Sequence, residues 1–282
     1  MKILISNDDG YRSPGIQVLA DCLAPFGKIT VVAPKYHQSA MSMSVSLGFK
    51  KLAYKPLPEF APGDWSYLDA TPATCVKFGL EYKYDRRNPD VVVCGINHGS
   101  NAGTAANYSA TLGATEEGAL NGCKAIGVSI CDYRPDADFS AIRILFPRIF
   151  EWLMDNWPEN RYGLLYNINF PALPADRIKG IRFTRQGRCH WVREFRPWND
   201  SILEKTKEFA GYAIWGQFDT PLEEGETAFT MAGDFIDDEP ETGLADHRLN
   251  DEGWITITPN QLDRTDFEEL GRLENKEIPF NP

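Results

Sequence analysis

No two of the six cysteines, Cys22, Cys75, Cys94, Cys123, Cys131 and Cys189, form a C-x-x-C pair, and most fall inside apolar segments. That pattern argues against a disulfide framework and for reduced core thiols, as expected of a cytoplasmic protein. Long hydrophobic runs are missing too. No stretch approaches the roughly 20 apolar residues of a membrane span. At the N-terminus the apolar run Ile3-Leu4-Ile5 is too short for a signal peptide and is soon cut by Asp8. Positive charge is scarce: 29 Lys and Arg against 40 Asp and Glu leave a net charge of -11. With no cationic surplus to release counterions, a nucleic acid polymer is not expected as a partner. An anionic small substrate then needs local help, from a metal or from backbone N–H groups. There is no G-x-x-x-x-G-K-[ST] loop, no H-E-x-x-H, and no G-x-G-x-x-G after the first strand-like run. P-loop and dinucleotide chemistry therefore lack support. The four histidines, His37, His98, His190 and His247, form no zinc-ligand pattern, which favours Mg2+ or Mn2+ over Zn2+.

What is present is a chain of 282 residues, 43% of them hydrophobic, enough for one large domain or a core with an appendage. Strand-like and helix-like runs alternate over more than half of it, the pattern of a parallel sheet covered by helices. Residues 2–6, 28–33, 44–52, 66–68, 91–94, 125–130 and 164–168 read as strands. Residues 14–24, 72–82, 111–121 and 141–152 read as helices, with Pro14 near the start of the first and Thr71 as an N-cap of the second. The order predicts a Rossmann-like, doubly wound, mainly parallel α/β sheet. From about Ile181 aromatics become dense (CHWVREFRPW, YAIWGQF), then an acidic Gly/Pro stretch follows. This texture predicts a hairpin-rich region at 181–282 serving self-association, beside a core at 1–180 that carries the site.

In an open parallel sheet, ligands bind beyond the carboxyl ends of the strands. The first strand ends in Asn7-Asp8-Asp9-Gly10. Adjacent strand residues point to opposite faces, so two neighbouring acids can converge only where the extended backbone breaks, and Gly10 permits that break. Carboxylates held close repel unless a cation lies between them or one is protonated, and a hard divalent metal is the economical solution. Acids in direct succession do not fit the D-x-D spacing of haloacid-dehalogenase-type phosphatases. Two more strand ends are polar: VVAPKYHQSAMSMS, and CGINHGSNAGTAANYSATLGA, which holds Asn97, His98, Ser100, Asn101, Asn107, Tyr108, Ser109 and Thr111 among its glycines. The latter feeds the N-terminus of a helix, where exposed N–H groups suit a phosphate.

The segments MKILISNDDGYRSPGI, VVAPKYHQSAMSMS, LDATPATCV, PDVVVCGINHGSNAGTAANYSATLGATEEGA and GWITITP resemble the successive motifs of the SurE family, stationary-phase survival proteins that act as metal-dependent 5′/3′-nucleotidases. The likeness is close over about residues 1–131 and returns at GYAIWG and GWITITP. It implies a three-layer α/β sandwich with a C-terminal β-hairpin extension that reaches a partner in a dimer or tetramer. It also implies one divalent ion per subunit, Mg2+ or Mn2+, bound by Asp8, Asp9, Ser39 and Asn97, and a nucleoside monophosphate substrate. On this pattern Asp8, Asp9 and Asn97 carry the catalysis, while Asn101, Ser109, Thr111 and the amides opening the Thr111 helix hold phosphate oxygens. Broader acid phosphatase or exopolyphosphatase activity, and a catalytically weak nucleotide-binding protein, are the alternatives.

Where the family usually has glycine, this chain has Ala40, Ala70 and Ala110, and Ala105 replaces a common Asp. The family's C-terminal catalytic histidine has no counterpart; TPNQLDRTDF offers Asp263 and Asp266. These departures spare all four expected ligands and bear on the phosphate cradle, because each added methyl narrows the allowed backbone.

Overall fold

A short run of apolar residues at the N-terminus, Lys2–Ser6 (β1), sits at the centre of the molecule, with Ile3, Leu4 and Ile5 fully buried. The computed structural model describes residues 1–48, 50–85, 87–134, 136–199, 221–231, 233–239 and 243–278. The strand is covered on both faces because its side chains alternate. Ile3 and Ile5 join one apolar cluster, with Ile16, Leu19, Phe146 and Phe150. Leu4 joins the other, with Cys75, Val76 and Ala114.

The helices behind the first cluster are Pro14–Leu23 (α1) and Ser140–Asp155 (α5). Those behind the second are Pro72–Phe78 (α2) and Ala110–Leu120 (α4), the latter preceded by the single turn Ala105–Tyr108 (α3). Between them lies a nine-stranded sheet. Its strands, in chain order, are β1, Lys28–Pro34 (β2), Tyr54–Pro56 (β3), Asp64–Leu68 (β4), Val91–His98 (β5), Lys124–Ile130 (β6), Leu164–Phe170 (β7), Ile181–Phe183 (β8) and Ile255–Gln261. That last strand is β13 in chain order, and the spatial order is β3-β4-β2-β1-β5-β6-β7-β13-β8. Strands β4, β2, β1, β5, β6 and β7 run parallel; β3 and β13 are antiparallel to their inner neighbours. This is the expected three-layer, doubly wound sandwich.

Chain order moves from β1 outward through β2 to β4, then jumps back to β5 on the other side of β1. The loops leaving β1 and β5 consequently diverge, and in open sheets of this kind ligands bind outside the carboxyl ends of the strands at such a switch point. A register shift between Cys94 and Asn97 interrupts the β5–β6 ladder at that rim, and such a bulge re-aims the side chain that follows it.

The strand expected over residues 44–52 is irregular where it is described. Ser46 accepts from the Thr71 N–H through its hydroxyl and donates its own N–H to the Thr74 hydroxyl, and the Ser44 N–H turns back to the Met41 carbonyl. Side-chain hydrogen bonds of this kind compete with a strand ladder. The helix expected over 72–82 is regular only to Phe78 and continues as a wider π-type turn over Gly79–Lys83.

Beyond residue 180 the chain both completes the sheet, through β8 and β13, and leaves it. Cys189–Val192 (β9) pairs antiparallel with Asp234–Asp237 (β12), and Phe195–Pro197 (β10) pairs with Phe229–Met231 (β11). Together they make the expected hairpin extension. The short helices Asp246–Asp251 (α6) and Phe267–Leu273 (α7) flank β13. The motif at residues 211–216 lies outside the described residues. All six cysteines are unpaired, and among the described residues no helix is long and apolar enough to cross a membrane.

Gly15 on α1 approaches β5 so closely that an added Cβ would lie 2.2 Å from the Ile96 carbonyl oxygen. Gly15→Ala is expected to destabilise the protein by about 1–3 kcal/mol, seen as a lower urea midpoint at unchanged m-value. An unaltered midpoint would show that α1 can retreat at no cost.

Candidate active site

The sequence Asn-Asp-Asp-Gly ends β1 in a tight turn. Gly10 adopts φ +92°, and the Asn7 side-chain amide and the Ser13 N–H both donate to its carbonyl, at 3.0 and 3.1 Å. The turn is tied to the loop after β2 by the Tyr11 N–H on the Pro34 carbonyl and the Gln38 N–H on the Asp8 carbonyl, at 3.0 and 2.7 Å. Here the extended backbone breaks as expected, and both carboxylates are buried, Asp8 3% and Asp9 4% exposed.

Each acid has its own partners. Thr111, in the first turn of α4, donates its hydroxyl to Asp8 Oδ1 at 2.6 Å. Asp9 lies between two imidazoles. His98 Nδ1 is 3.2 Å from its Oδ2 and His37 Nδ1 is 3.4 Å from its Oδ1, with the His98 N–H also on Oδ2 at 3.4 Å.

The electrostatics follow from that division. Burial, with the Asp9 charge adding to it, pushes Asp8 up to about 7 against the stabilising Thr111 hydrogen bond. Burial works on Asp9 in the same sense, but the hydrogen bonds of His37 and His98 outweigh it and hold Asp9 below the ordinary carboxylate value. Burial favours a neutral His37, yet Asp9 holds its pKa above the usual value. Two adjacent acids thus differ in proton affinity because of what each one touches.

Asn97, at the end of β5, completes the group. Its Nδ2 donates to the Gly99 carbonyl at 2.9 Å, which leaves Oδ1 on the side of Thr111, 3.5 Å from the Thr111 hydroxyl. One hydroxyl proton therefore serves two acceptors, Asp8 Oδ1 and Asn97 Oδ1. The rim holds more oxygen acceptors than donors, and a hard divalent cation fits such a set. No group of three or more His, Cys, Asp and Glu side chains suited to a metal occurs among the described residues. The oxygens of Asp8, Asp9 and Asn97 form a donor set that includes an amide, unlike a zinc site.

The other expected residues lie around this group. Ser39 is exposed in the loop after β2, beside Gln38, and its side chain makes no hydrogen bond to Asp8, Asp9 or Asn97 among the described residues. Ser109 caps α4, accepting from the Leu112 N–H at 3.1 Å. Asn101 is embedded in a buried network: its N–H donates to Asn169 Oδ1, its Nδ2 to Ser129, and its carbonyl accepts from Asn167. Thr111, expected among the phosphate ligands, places its hydroxyl on Asp8 and near the Asn97 amide oxygen. Asp263 and Asp266 accept from the nearby Thr265 and Glu269 N–H groups.

Sequence reasoning missed His37 and His98 as partners of Asp9. The available signal was position, because each follows a polar strand end on the rim that carries the acids. Of the alanines in place of glycine, Ala40 takes φ +60°. It keeps a left-handed backbone at a cost of roughly 1 kcal/mol; neither Ala70 nor Ala110 has positive φ. The loop is strapped down beyond Ala40, where Ser42 donates its N–H to the Tyr108 carbonyl and its hydroxyl to the Asn107 carbonyl.

Comparison with known proteins bears on this arrangement. The family model described as "Survival protein SurE" matches residues 3–193. A protein of Cytophaga hutchinsonii named 5′-nucleotidase SurE is 34% identical, with 99% of this chain and 97% of that one covered. One of the same name from Bacteroides fragilis is 33% identical, covering 98% and 97%. The crystal structure of the SurE protein from Aquifex aeolicus superposes with a TM-score of 0.75 at 26% identity, covering 96% of this chain and 98% of that chain.

The raised Asp8 pKa has a sign that can be tested. Unfolded, Asp8 titrates near 3.8; folded, near 7. The folded state binds this proton more tightly, so in chelator the group's contribution is fully present below pH ~4 and is lost as pH rises through ~7. Asp8→Asn removes that loss. At pH 8 in chelator the variant is expected to exceed wild type by on the order of 3 kcal/mol in urea unfolding, with the gap closing toward pH 4. A gap independent of pH would mean that Asp8 does not carry the strained proton.

Proposed function

The chain belongs to the SurE family of survival proteins, and on that premise we propose that it hydrolyses nucleoside 5′- and 3′-monophosphates to nucleoside and phosphate, using one Mg2+ or Mn2+ ion per subunit. The observation that carries this reading is the joint burial of Asp8 and Asp9 next to the Asn97 amide oxygen. Relatives about one third identical over nearly the whole chain bear the name 5′-nucleotidase.

Asp8, Asp9 and Asn97, with Ser39 from the adjoining loop, would hold the ion. When bound, it supplies Lewis-acid charge that offsets the phosphate's and makes a water nucleophilic near neutral pH. The chain's own groups prepare the site. Thr111 fixes the Asp8 carboxylate, and His37 and His98 grip both oxygens of Asp9, so little reorganisation is needed when a substrate arrives. Ser109, whose hydroxyl caps α4, and the N–H groups of Ala110 and Thr111 at the start of that helix would take phosphate oxygens. Water attacks phosphorus in this reading, the P–O bond to the sugar breaks, and the nucleoside leaves with a proton on its oxygen. In a chain of net charge -11, attraction for the anion has to be local.

Self-association, as a dimer or tetramer, belongs to the same reading. Phe195, Phe229, Met231 and Phe235 are exposed along the hairpin, more apolar surface than a free arm ordinarily carries. The six unpaired thiols support a reducing, cytoplasmic setting.

Phosphate release from a panel of nucleoside 5′- and 3′-monophosphates, with p-nitrophenyl phosphate and polyphosphate alongside, would test the proposal in Mg2+, Mn2+ and chelator. Release is expected from the monophosphates with either ion and not in chelator. Asp8→Asn should lower it by on the order of 10²–10³-fold. Release above background from none of the nucleotides would leave a binding protein; equal rates on all esters would leave a general phosphatase.

A further inference from the structure

Asp246, the first residue of α6, is fully buried. Its Oδ1 accepts from three backbone N–H groups: Gly103 at 2.9 Å, Gly187 at 3.0 Å and His247 at 2.8 Å. Its Oδ2 accepts from the Thr258 hydroxyl at 3.3 Å. A single carboxylate thus joins the segment between β5 and α4, the base of the hairpin, α6 and β13. The segment is gripped from the same side at further points. The Gly103 carbonyl accepts from Gln186 Nε2 at 3.0 Å, the Thr104 N–H donates to Cys189 Sγ at 3.2 Å, and the Thr104 hydroxyl donates to the Cys189 carbonyl.

Gly103 lies between Asn97, on the carboxylate rim, and Ser109 and Thr111, which open α4. A shift there is passed along six to eight residues to both. The bonds to Asp246 are charge-assisted and dry, the strong kind, and losing them would leave two or three buried N–H groups unpaired. From this geometry we propose that Asp246 is a positioning residue for the reaction. It fixes the Gly99–Ser109 segment from the C-terminal part of the chain, so that Asn97 and the start of α4 are held at once in working geometry. This rests on the nucleotidase reading and extends it: the region beyond residue 180 then helps to build the site as well as presenting a hairpin for self-association.

The test uses the full chain with Mn2+ and a nucleoside monophosphate, comparing wild type, Asp246→Ala and Asp246→Asn. Hydrogen exchange at the Gly103 and Gly187 amides reports the clamp without reference to activity. In Asp246→Ala both amides are expected to exchange about tenfold faster or more. The value of kcat should fall about tenfold or more well below the melting temperature, with any change in KM or Mn2+ affinity smaller than the fall in kcat. Asp246→Asn keeps an acceptor oxygen but loses the charge, so it should lie between wild type and alanine in exchange and in kcat; that partial rescue would not follow from a general loosening of the fold. Unchanged exchange at Gly103 overturns the proposal, as does faster exchange with wild-type kcat, or a loss confined to KM or Mn2+ affinity. If the alanine variant fails to fold, the asparagine variant decides by the same criteria, and wild-type values in both exchange and kcat refute the clamp. If the wild type releases no phosphate, the nucleotidase reading falls, while exchange at Gly103 and Gly187 still decides whether Asp246 holds the segment.

Discussion

Two carboxylates buried side by side are the constraint around which this molecule is organised. Neither Asp8 nor Asp9 can reach bulk water to dissipate its charge, and each raises the cost of ionising the other. The structure resolves the conflict unevenly. Asp9 receives two imidazoles and a backbone N–H, while Asp8 receives one hydroxyl and is left poised near neutrality. An arrangement that is costly for the bare protein is favourable for one that holds a divalent cation, because the ion answers both the repulsion and the surplus of acceptor oxygens.

Everything that supplies partners to these acids arrives by way of the sheet's topology. The chain leaves β1, winds out to β4, and returns to β5 beside β1, so the loops after β1, β2 and β5 meet on one rim. Hydrogen bonds then lock the loops to one another: Gln38 to Asp8, Tyr11 to Pro34, and Ser42 to the carbonyls of Asn107 and Tyr108. The helix α4 has a double duty. It packs Ala114 into the core and, one turn earlier, presents Thr111 to Asp8. Moving this helix would cost both packing and the Thr111 hydroxyl that donates to the carboxylate.

The C-terminal part is woven into this arrangement. Strand β13 returns antiparallel to β7, and α6 just before it delivers Asp246 to the backbone of the segment after β5. A buried network of Asn101, Asn167, Asn169 and Asn250 lies next to that contact and satisfies backbone and side-chain groups that would otherwise be orphaned. Asn101, read from the sequence as a phosphate ligand, also belongs to this scaffold through its backbone and its Nδ2.

The sequence by itself determined the parallel sheet, the rim and the adjacent acids. Apolar runs such as Ile3-Leu4-Ile5 and Val91-Val92-Val93 announce strands buried on both faces, and a polar turn with glycine directly after a strand announces a site. Its motifs also pointed to the family. It misread residues 44–52, where Ser46, bonded through its hydroxyl to the Thr71 N–H and through its own N–H to the Thr74 hydroxyl, overrides an apparent strand pattern. Only the tertiary structure decided which acid would hold a proton, that His37 and His98 flank Asp9, that Thr111 faces the carboxylate, and that Asp246 reaches Gly103 across 143 positions of chain. The physical reason is range. Strand and turn preferences are set by neighbours in sequence, whereas burial, partner distance and hence proton affinity are set by whichever segments the fold brings within a few ångströms.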